Sequence, residues 1–255
     1  MLEARSLTRC YATVPAIQDV SFSICPGEVL GYLGPNGSGK STTVKILTGL
    51  LEPTSGHVFY KGNDIREDLP GYKRLLGYVP EEANLYPFLS GLEYIELVGR
   101  LRSLRGRLIA KRADALLKLF SLHPHRHTMM SAYSKGMRQR ILLIAAILHN
   151  PEVIILDEPL SGLDVTSALI FRNLIARFSR EGKVIFYCSH VLEVVEKVCS
   201  QVIVLQSGRP LAYGTIDDLK SFQSMPSLEA AFSHLVQETD ASETADRIVD
   251  TVMTA

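Results

Sequence analysis

The chain has 255 residues, of which 46% are apolar and 21% charged, a globular composition with room for a large core and not that of a disordered protein. Lys plus Arg (27) balance Asp plus Glu (27), so the formal net charge is zero and no nucleic-acid binding is expected. The longest strongly apolar run, Ile141 to Leu148, falls well short of the roughly 20 residues that span a bilayer; the N-terminus lacks the apolar segment of a secretory signal; and Cys10, Cys25, Cys188 and Cys199 are scattered without a C-x-x-C pair, which points to a reducing compartment and to cysteines that act as small buried apolar residues.

Leu2 to Leu7 and Ile17 to Ile24 alternate apolar and polar residues as strands do, with Pro15 and Pro26-Gly27 as punctuation. Glu28 to Leu33 reads as a buried strand, and a helix opens at Val44 to Leu47. Turns at 51–56 and 61–63 flank a strand at His57 to Tyr60, and Leu75 to Val79 is one more strand, stopped by Pro80. From about Leu89 to Asn150 the strand signals vanish. Leu92, Ile95, Leu97 and Val98, then Leu116, Leu117, Leu119 and Phe120, mark apolar helix faces, so this stretch is predicted to be a helical subdomain.

Arg100, Arg102, Arg105, Arg107, Lys111 and Arg112 form a basic run within it, which reads first as a solvated helix face, with an acidic partner or anionic headgroups as the alternative. His123 to His127 reads as a polar loop and not as a metal site. Beyond it, Ile141 to Leu148 should pack in the interior. Val153 to Leu156 is a buried strand, Asp164 caps a helix running to Arg180, and Lys183 to Tyr187 is the next core strand. A helix at Val191 to Val198 precedes Val202 to Leu205, expected to close the sheet; a last helix at Leu228 to Val236 leads to a polar tail. Strands alternating with helices imply a mainly parallel sheet covered on both sides.

The stretch that carries chemistry is Gly34-Pro35-Asn36-Gly37-Ser38-Gly39-Lys40-Ser41-Thr42, a complete G-x-x-x-x-G-K-[ST] phosphate loop between a strand and a helix. Its glycines let backbone N–H groups turn inward to an anion, and the helix adds its positive end. Lys40 can reach β- and γ-phosphates, and the Ser41 hydroxyl can ligate Mg²⁺. Asp157, at the end of the strand Val153 to Leu156, is placed to hold Mg²⁺ through water, and Glu158 to serve as general base once the chain turns at Pro159. His190 ends the next strand, on the edge where open α/β sheets bind ligands. Tyr11 is an exposed ring near a point where a base could stack, or an ordinary packing residue.

With these pieces in order, the sequence resembles the nucleotide-binding subunit of an ATP-binding cassette (ABC) transporter, over residues 1 to about 219. Tyr133-Ser134-Lys135-Gly136-Met137 corresponds to the family signature, Ser161-Gly162-Leu163-Asp164 to its D-loop, His190 to its switch histidine, and Tyr11 to the position that stacks adenine. The resemblance implies an α/β P-loop NTPase (RecA-like) fold with an N-terminal antiparallel β subdomain and an inserted α-helical subdomain. The ATPase domain would span 1–220, with its core at 1–88 and 151–220 and the helical subdomain at 89–150, followed by a C-terminal tail at 221–255.

The resemblance further implies ATP and Mg²⁺ as cofactors and a head-to-tail pair with a second nucleotide-binding subunit, in which Ser134 and Gly136 of one chain complete the ATP site of the other. It implies an integral membrane permease subunit as partner, on the cytoplasmic face of the membrane. Glu81 stands where the family usually has glutamine, leaving it as a further candidate metal ligand, and Lys135 and Met137 replace the usual glycine and glutamine of the signature. These variants, with the short insertion around Asn84 to Pro87, resemble exporter-type cassettes with a separate permease. The alternatives are a soluble ABC ATPase acting on DNA, ribosomes or cluster assembly, and a small-molecule kinase.

Overall fold

In the computed structural model, residues 1–83, 85–223, 227–230, 232 and 251 are described. The alternating N-terminal stretches form β1 (Leu2–Tyr11) and β2 (Val14–Ile24), and Leu2, Ala4 and Leu7 of β1 and Ile17, Val20, Phe22 and Ile24 of β2 are buried. With β4 (Ser55–Tyr60) and the two-residue β5 (Asn63–Asp64) they build an antiparallel sheet in the order β2-β1-β4-β5.

The second sheet has the order β10-β9-β3-β8-β7-β6. Its members are β3 (Val29–Leu33), β6 (Leu76–Val79), β7 (Val153–Asp157), β8 (Val184–Cys188), β9 (Gln201–Gln206) and β10 (Arg209–Thr215). All neighbours are parallel except β9 and β10. Every residue of β3, β7 and β8 is buried, which explains their near-continuous apolar sequences. Burying one such Val, Ile or Leu side chain contributes about 1.5–3 kcal/mol. Because β3, β7 and β8 are parallel and adjacent, Leu33, Asp157 and Cys188 end on one edge of the sheet, and the loops that follow them meet there.

The helices include α1 (Lys40–Leu47), α2 (Leu69–Leu75), α3 (Gly91–Leu101), α4 (Gly106–Leu119), α5 (Lys135–Ile147), α6 (Val165–Arg180), α7 (Leu192–Val198) and α8 (Ile216–Gln223). The predicted helical stretch contains α3, α4 and α5, gathered around Ile95, Ala113, Leu117, Leu122, Met130, Tyr133, Ile141, Ile144 and Leu148. Ser90 and Glu93 form a reciprocal capping box at the start of α3, worth about 1 kcal/mol. Asp164 caps α6, its carboxylate accepting from the Ser167 N–H at 2.9 Å. Among the described residues no helix is long and apolar enough to cross a membrane.

Several expectations change. Val202–Leu205 lies within β9 but does not close the sheet: β10, carrying Pro210 and Gly214 on an edge strand, pairs beyond it. The short helices α2 and α8 were not predicted; each spans about two turns, too few to establish a helical period. The His123 segment forms a turn of 3₁₀ helix at His123–His125, with His123 beside Asp114 at 3.2 Å. Cys188 and Cys199 are buried, but Cys25 is exposed. The basic run divides: Arg100, Arg105, Arg107 and Lys111 are exposed, whereas Arg112 donates to the Leu148 carbonyl at 2.7 Å and Arg102 is half-buried. Asn84, residues 231 and 233–236 of the last predicted helix, and the polar tail after it apart from residue 251 lie outside the described residues.

Candidate nucleotide site

The phosphate loop is held by its surroundings as much as by its own sequence. Gly39, the residue before α1, has φ of 104°, and a Cβ there would lie 2.4 Å from the Ala16 carbonyl of β2. At Gly34 a Cβ would lie 2.4 Å from Ser38 Oγ and 2.5 Å from the Leu205 carbonyl. The Gly208 N–H, in the β9–β10 turn, donates to the Ser38 carbonyl at 3.1 Å. Both sheets therefore clamp the loop where only glycine fits. Lys40 Nζ donates to the Gly34 and Pro35 carbonyls at 2.7 and 3.0 Å, so the ammonium lies across the loop.

The loop opens on a cavity of about 670 Å³. Gly34, Pro35, Asn36, Gly37, Gly39, Lys40, Ser41 and Thr42 of the loop line it together with Glu81, Asp157, Glu158, Ser189 and His190. Ser38 is the member of the loop missing from this wall: its hydroxyl is buried and lacks a hydrogen-bond partner. Tyr11 also lies outside the wall, at the end of β1, 48% exposed with the Arg9 guanidinium 5.1 Å from its ring centre. Ala16, on the same hairpin, does line the cavity.

Asp157 is buried at the end of β7, and that burial pushes its pKa up to about 6, with Glu81 and Glu158 adding to the rise and Cys188 and Lys40 opposing it. Removing a carboxylate from water disfavours its charge, and neighbouring carboxylates disfavour it further. A divalent cation held at the carboxylate would reverse the local balance. Asp157, Glu81 and the Ser41 hydroxyl are all hard oxygen donors on one cavity, the ligand type that Mg²⁺ takes. Among the described residues no three His, Cys, Asp or Glu side chains converge into a metal site, so such an ion would need phosphate and water oxygens as well.

Glu158 holds the most informative geometry. Its φ is 46°, the left-handed region that an L-residue enters at a cost of about 1–2 kcal/mol. The turn that brings it toward the cavity was expected at Pro159; it lies instead in the backbone of Glu158 itself. The strain is held by three hydrogen bonds to its carboxylate: Oε1 accepts from the His190 backbone N–H at 2.9 Å and pairs with His190 Nδ1 at 2.7 Å, and Oε2 accepts from the Ser189 hydroxyl at 3.2 Å. The Glu158 N–H donates to the Cys188 carbonyl at 2.9 Å, tying the ends of β7 and β8 together. With Nδ1–H directed at Glu158, the other ring nitrogen of His190 is left to face solvent or a ligand.

Ser134 and Gly136 lie elsewhere and line no part of the cavity. Ser134 caps α5, its hydroxyl accepting from the Met137 N–H at 3.2 Å. A Cβ on Gly136 would lie 2.8 Å from the Gly162 carbonyl, and one on Gly162 would lie 2.9 Å from the Lys135 side chain, so the start of α5 and the loop carrying Gly162 are packed together. Gln139, buried one turn further along α5, donates to the Pro159 carbonyl at 3.0 Å. Sequence reasoning missed this link, and also Ala16, Leu192, Glu229 and Phe232 of the cavity wall. Ser189 could have been found from its place beside His190; the others carry no motif.

A phosphate loop after β3, an acidic edge after β7 and a histidine after β8 define the α/β P-loop NTPase class. Residues 17–161 match the ABC transporter family model, and the chain belongs to that family. It is 36% identical over 220 residues to the ABC transporter ATP-binding protein NatA of Bacillus subtilis, covering 86% of this chain and 89% of that protein. It is 34% identical over 221 residues to the linearmycin resistance ATP-binding protein LnrL of the same organism, covering 87% and 71%. Among solved structures, an ATP-binding subunit of an ABC transporter superposes with a TM-score of 0.87 at 30% identity, covering 92% of this chain and 99% of that one. A dimeric post-hydrolysis state of the ATP-binding cassette MJ0796, bound to ADP and Pi, gives 0.78 at 27% identity, covering 84% and 98%.

Proposed function

We propose that this chain is the ATP-hydrolysing subunit of an ABC exporter whose permease is a separate polypeptide, working as a head-to-tail pair on the cytoplasmic face of the membrane. The observation that carries the reading is a division of the motif residues. Lys40, Ser41, Asp157, Glu158 and His190 share one cavity, while Ser134 and Gly136 stand outside it. A second chain can supply the missing wall. Its Ser134 hydroxyl and the positive end of its α5 would face the γ-phosphate, with ATP between the two chains.

In this reading Lys40 and the loop N–H groups hold the polyphosphate, and Tyr11 stacks the adenine. Ser41, Asp157 and Glu81 would hold Mg²⁺, which supplies charge neutralisation when bound. A water oxygen bonds to the γ-phosphorus as the bond to the β-phosphate oxygen breaks, and its proton passes to the Glu158 carboxylate. His190, oriented by Glu158, contacts the γ-phosphate through its second ring nitrogen. Loss of the bridging phosphate then lets the pair open.

A permease partner is supported by an exposed apolar patch. Tyr86 and Phe88 are 61% and 83% exposed and Met129 57%, and backbone bonds from Ser131 to Pro87 and from Met130 to Leu89 hold these segments side by side. Export is supported by the relative named for linearmycin resistance. A mixture of Ser134→Arg chains with Lys40→Ala chains tests the pairing, because each mixed pair retains one intact composite site. Recovery of ATPase activity above either variant alone is expected; no recovery, with chain exchange verified, overturns the head-to-tail arrangement. Co-purification with ribosomes or DNA and with no integral membrane protein would overturn the transport reading.

A further inference from the structure

Part of the lining of the nucleotide cavity comes from a stretch of the chain with no motif. Glu229 and Phe232 line it together with His190 and Leu192, more than 30 residues after the switch histidine in sequence. They are brought there by a latch on α7. Leu228 is fully buried among Val195, Ile216 and Leu219, and Phe232 packs against the same cluster. Glu196, on α7, pairs with Lys220 of α8 and accepts from the Leu228 N–H at 3.3 Å. Ser227 accepts from the Ala230 N–H at 3.2 Å, starting the turn that carries Glu229. The helix that begins just after His190 is thus the seat of the C-terminal segment.

The charges on the cavity wall make this seat consequential. Glu81, Asp157, Glu158 and Glu229 supply four carboxylates against the ammonium of Lys40. Three of them have a task at the reacting end, as candidate metal ligands or base. Glu229 has none, is exposed, and makes no ion pair among the described residues. An unpaired carboxylate on the wall of a cavity that receives a polyphosphate repels it, and its withdrawal would cost the contacts that hold Leu228 on α7.

We propose that Glu229 and Phe232 are residues of the nucleotide site, and that Glu229 is a resident negative charge that holds ATP affinity down and links nucleotide binding to release of the C-terminal segment from α7. This rests on the ATP-binding reading and deepens it. By linkage, whatever binds and withdraws the segment tightens ATP binding by the same factor. The seat on α7 makes the effect local to the γ-phosphate end, where His190 works.

The test is titration of the full chain with ATP and Mg²⁺ by calorimetry, at low and at 0.5 M salt, a condition chosen for screening. Glu229→Gln should tighten ATP binding about three- to tenfold at low salt, Glu229→Lys more, and high salt should shrink both gains. Hydrogen exchange in peptides covering 227–232 should rise when ATP is added to the parent, and rise less in Glu229→Gln. Unchanged or weaker ATP binding by both variants, or protection of 227–232 that ATP leaves untouched, overturns the inference. Lys40→Ala serves as reference: if the folded parent binds no ATP, the nucleotide-site reading itself fails, whereas a parent that binds and a Lys40→Ala chain that does not, with Glu229 variants at parental affinity, reject only the role of Glu229.

Discussion

Replacing Glu158 by Gln isolates chemistry from architecture at this site. Glu158 Oε1 accepts two bonds from His190, at 2.9 and 2.7 Å, and an amide oxygen can accept both. On the other side the carboxylate accepts from Ser189 at 3.2 Å, and the amide nitrogen can donate to the same hydroxyl. The net change in stability should therefore stay below about 1 kcal/mol, the size of one neutral hydrogen bond, or roughly 2–4 °C in Tm. An amide cannot take the proton of an attacking water. Loss of a general base costs about 10²–10⁴ in rate, equal to about 2.7–5.5 kcal/mol in the barrier.

The expected result is an enzyme with near-parental Tm and ATP binding, turnover reduced by at least about a hundredfold, and a nucleotide-trapped dimer seen by size-exclusion chromatography. Glu158→Ala is the companion. It loses the bonds to His190 and Ser189 while retaining a left-handed φ of 46°, so it should lose about 1–3 kcal/mol of stability as well as activity. Hydrolysis at the parental rate by Glu158→Gln would refute the assignment of the base. A large fall in Tm for Glu158→Gln would refute the claim that the hydrogen bonds survive.

Lys40→Ala removes the cavity's ammonium and should weaken ATP binding by at least about tenfold, one charge-assisted contact of about 1.5–3 kcal/mol, as read by calorimetry. Gly39→Ala places a Cβ 2.4 Å from the Ala16 carbonyl at φ of 104°, and should cost at least about 2 kcal/mol in chemical denaturation. Gly106→Ala, at the start of α4 with open space around its Cβ, should be neutral or stabilising by up to about 1 kcal/mol. His149 donates through Nε2 to the Leu76 carbonyl at 3.1 Å, while its Nδ1 is buried without a partner. Burial first, then the nearby Arg102, Arg112 and Lys183, push its pKa down to about 4. The unfolded chain, with a histidine near 6.5, binds that proton at higher pH than the folded chain, so stability falls as pH drops from about 6.5 to about 4 and levels off below. Because the ring is only partly buried, the loss should be about 1–2 kcal/mol, and His149→Gln should flatten it in urea unfolding between pH 4 and 7.

Local chemistry determined much of this protein on its own. The complete phosphate loop needs no partner to be recognised, since its spacing is set by the size of a phosphate and the reach of one lysine. The continuous apolar runs at Val153 to Leu156 and Val184 to Tyr187 announce strands buried on both faces, and their parallel order places Asp157, Glu158 and His190 on one edge. Short elements were illegible for a physical reason. Two turns in α2 and α8 carry too few side chains to show a period, and β10 is an edge strand whose exposed residues lose the apolar signal.

What only tertiary structure decided is which distant residues meet. The left-handed backbone of Glu158 is a strain that three bonds from the next strand's loop maintain, and nothing in Asp-Glu-Pro specifies it. Ser38 belongs to the motif yet is buried beneath it, because the β9–β10 turn closes over the loop. Glu229 and Phe232 join the cavity through the docking of Leu228 on α7, a contact between segments about 30 residues apart that no local pattern encodes.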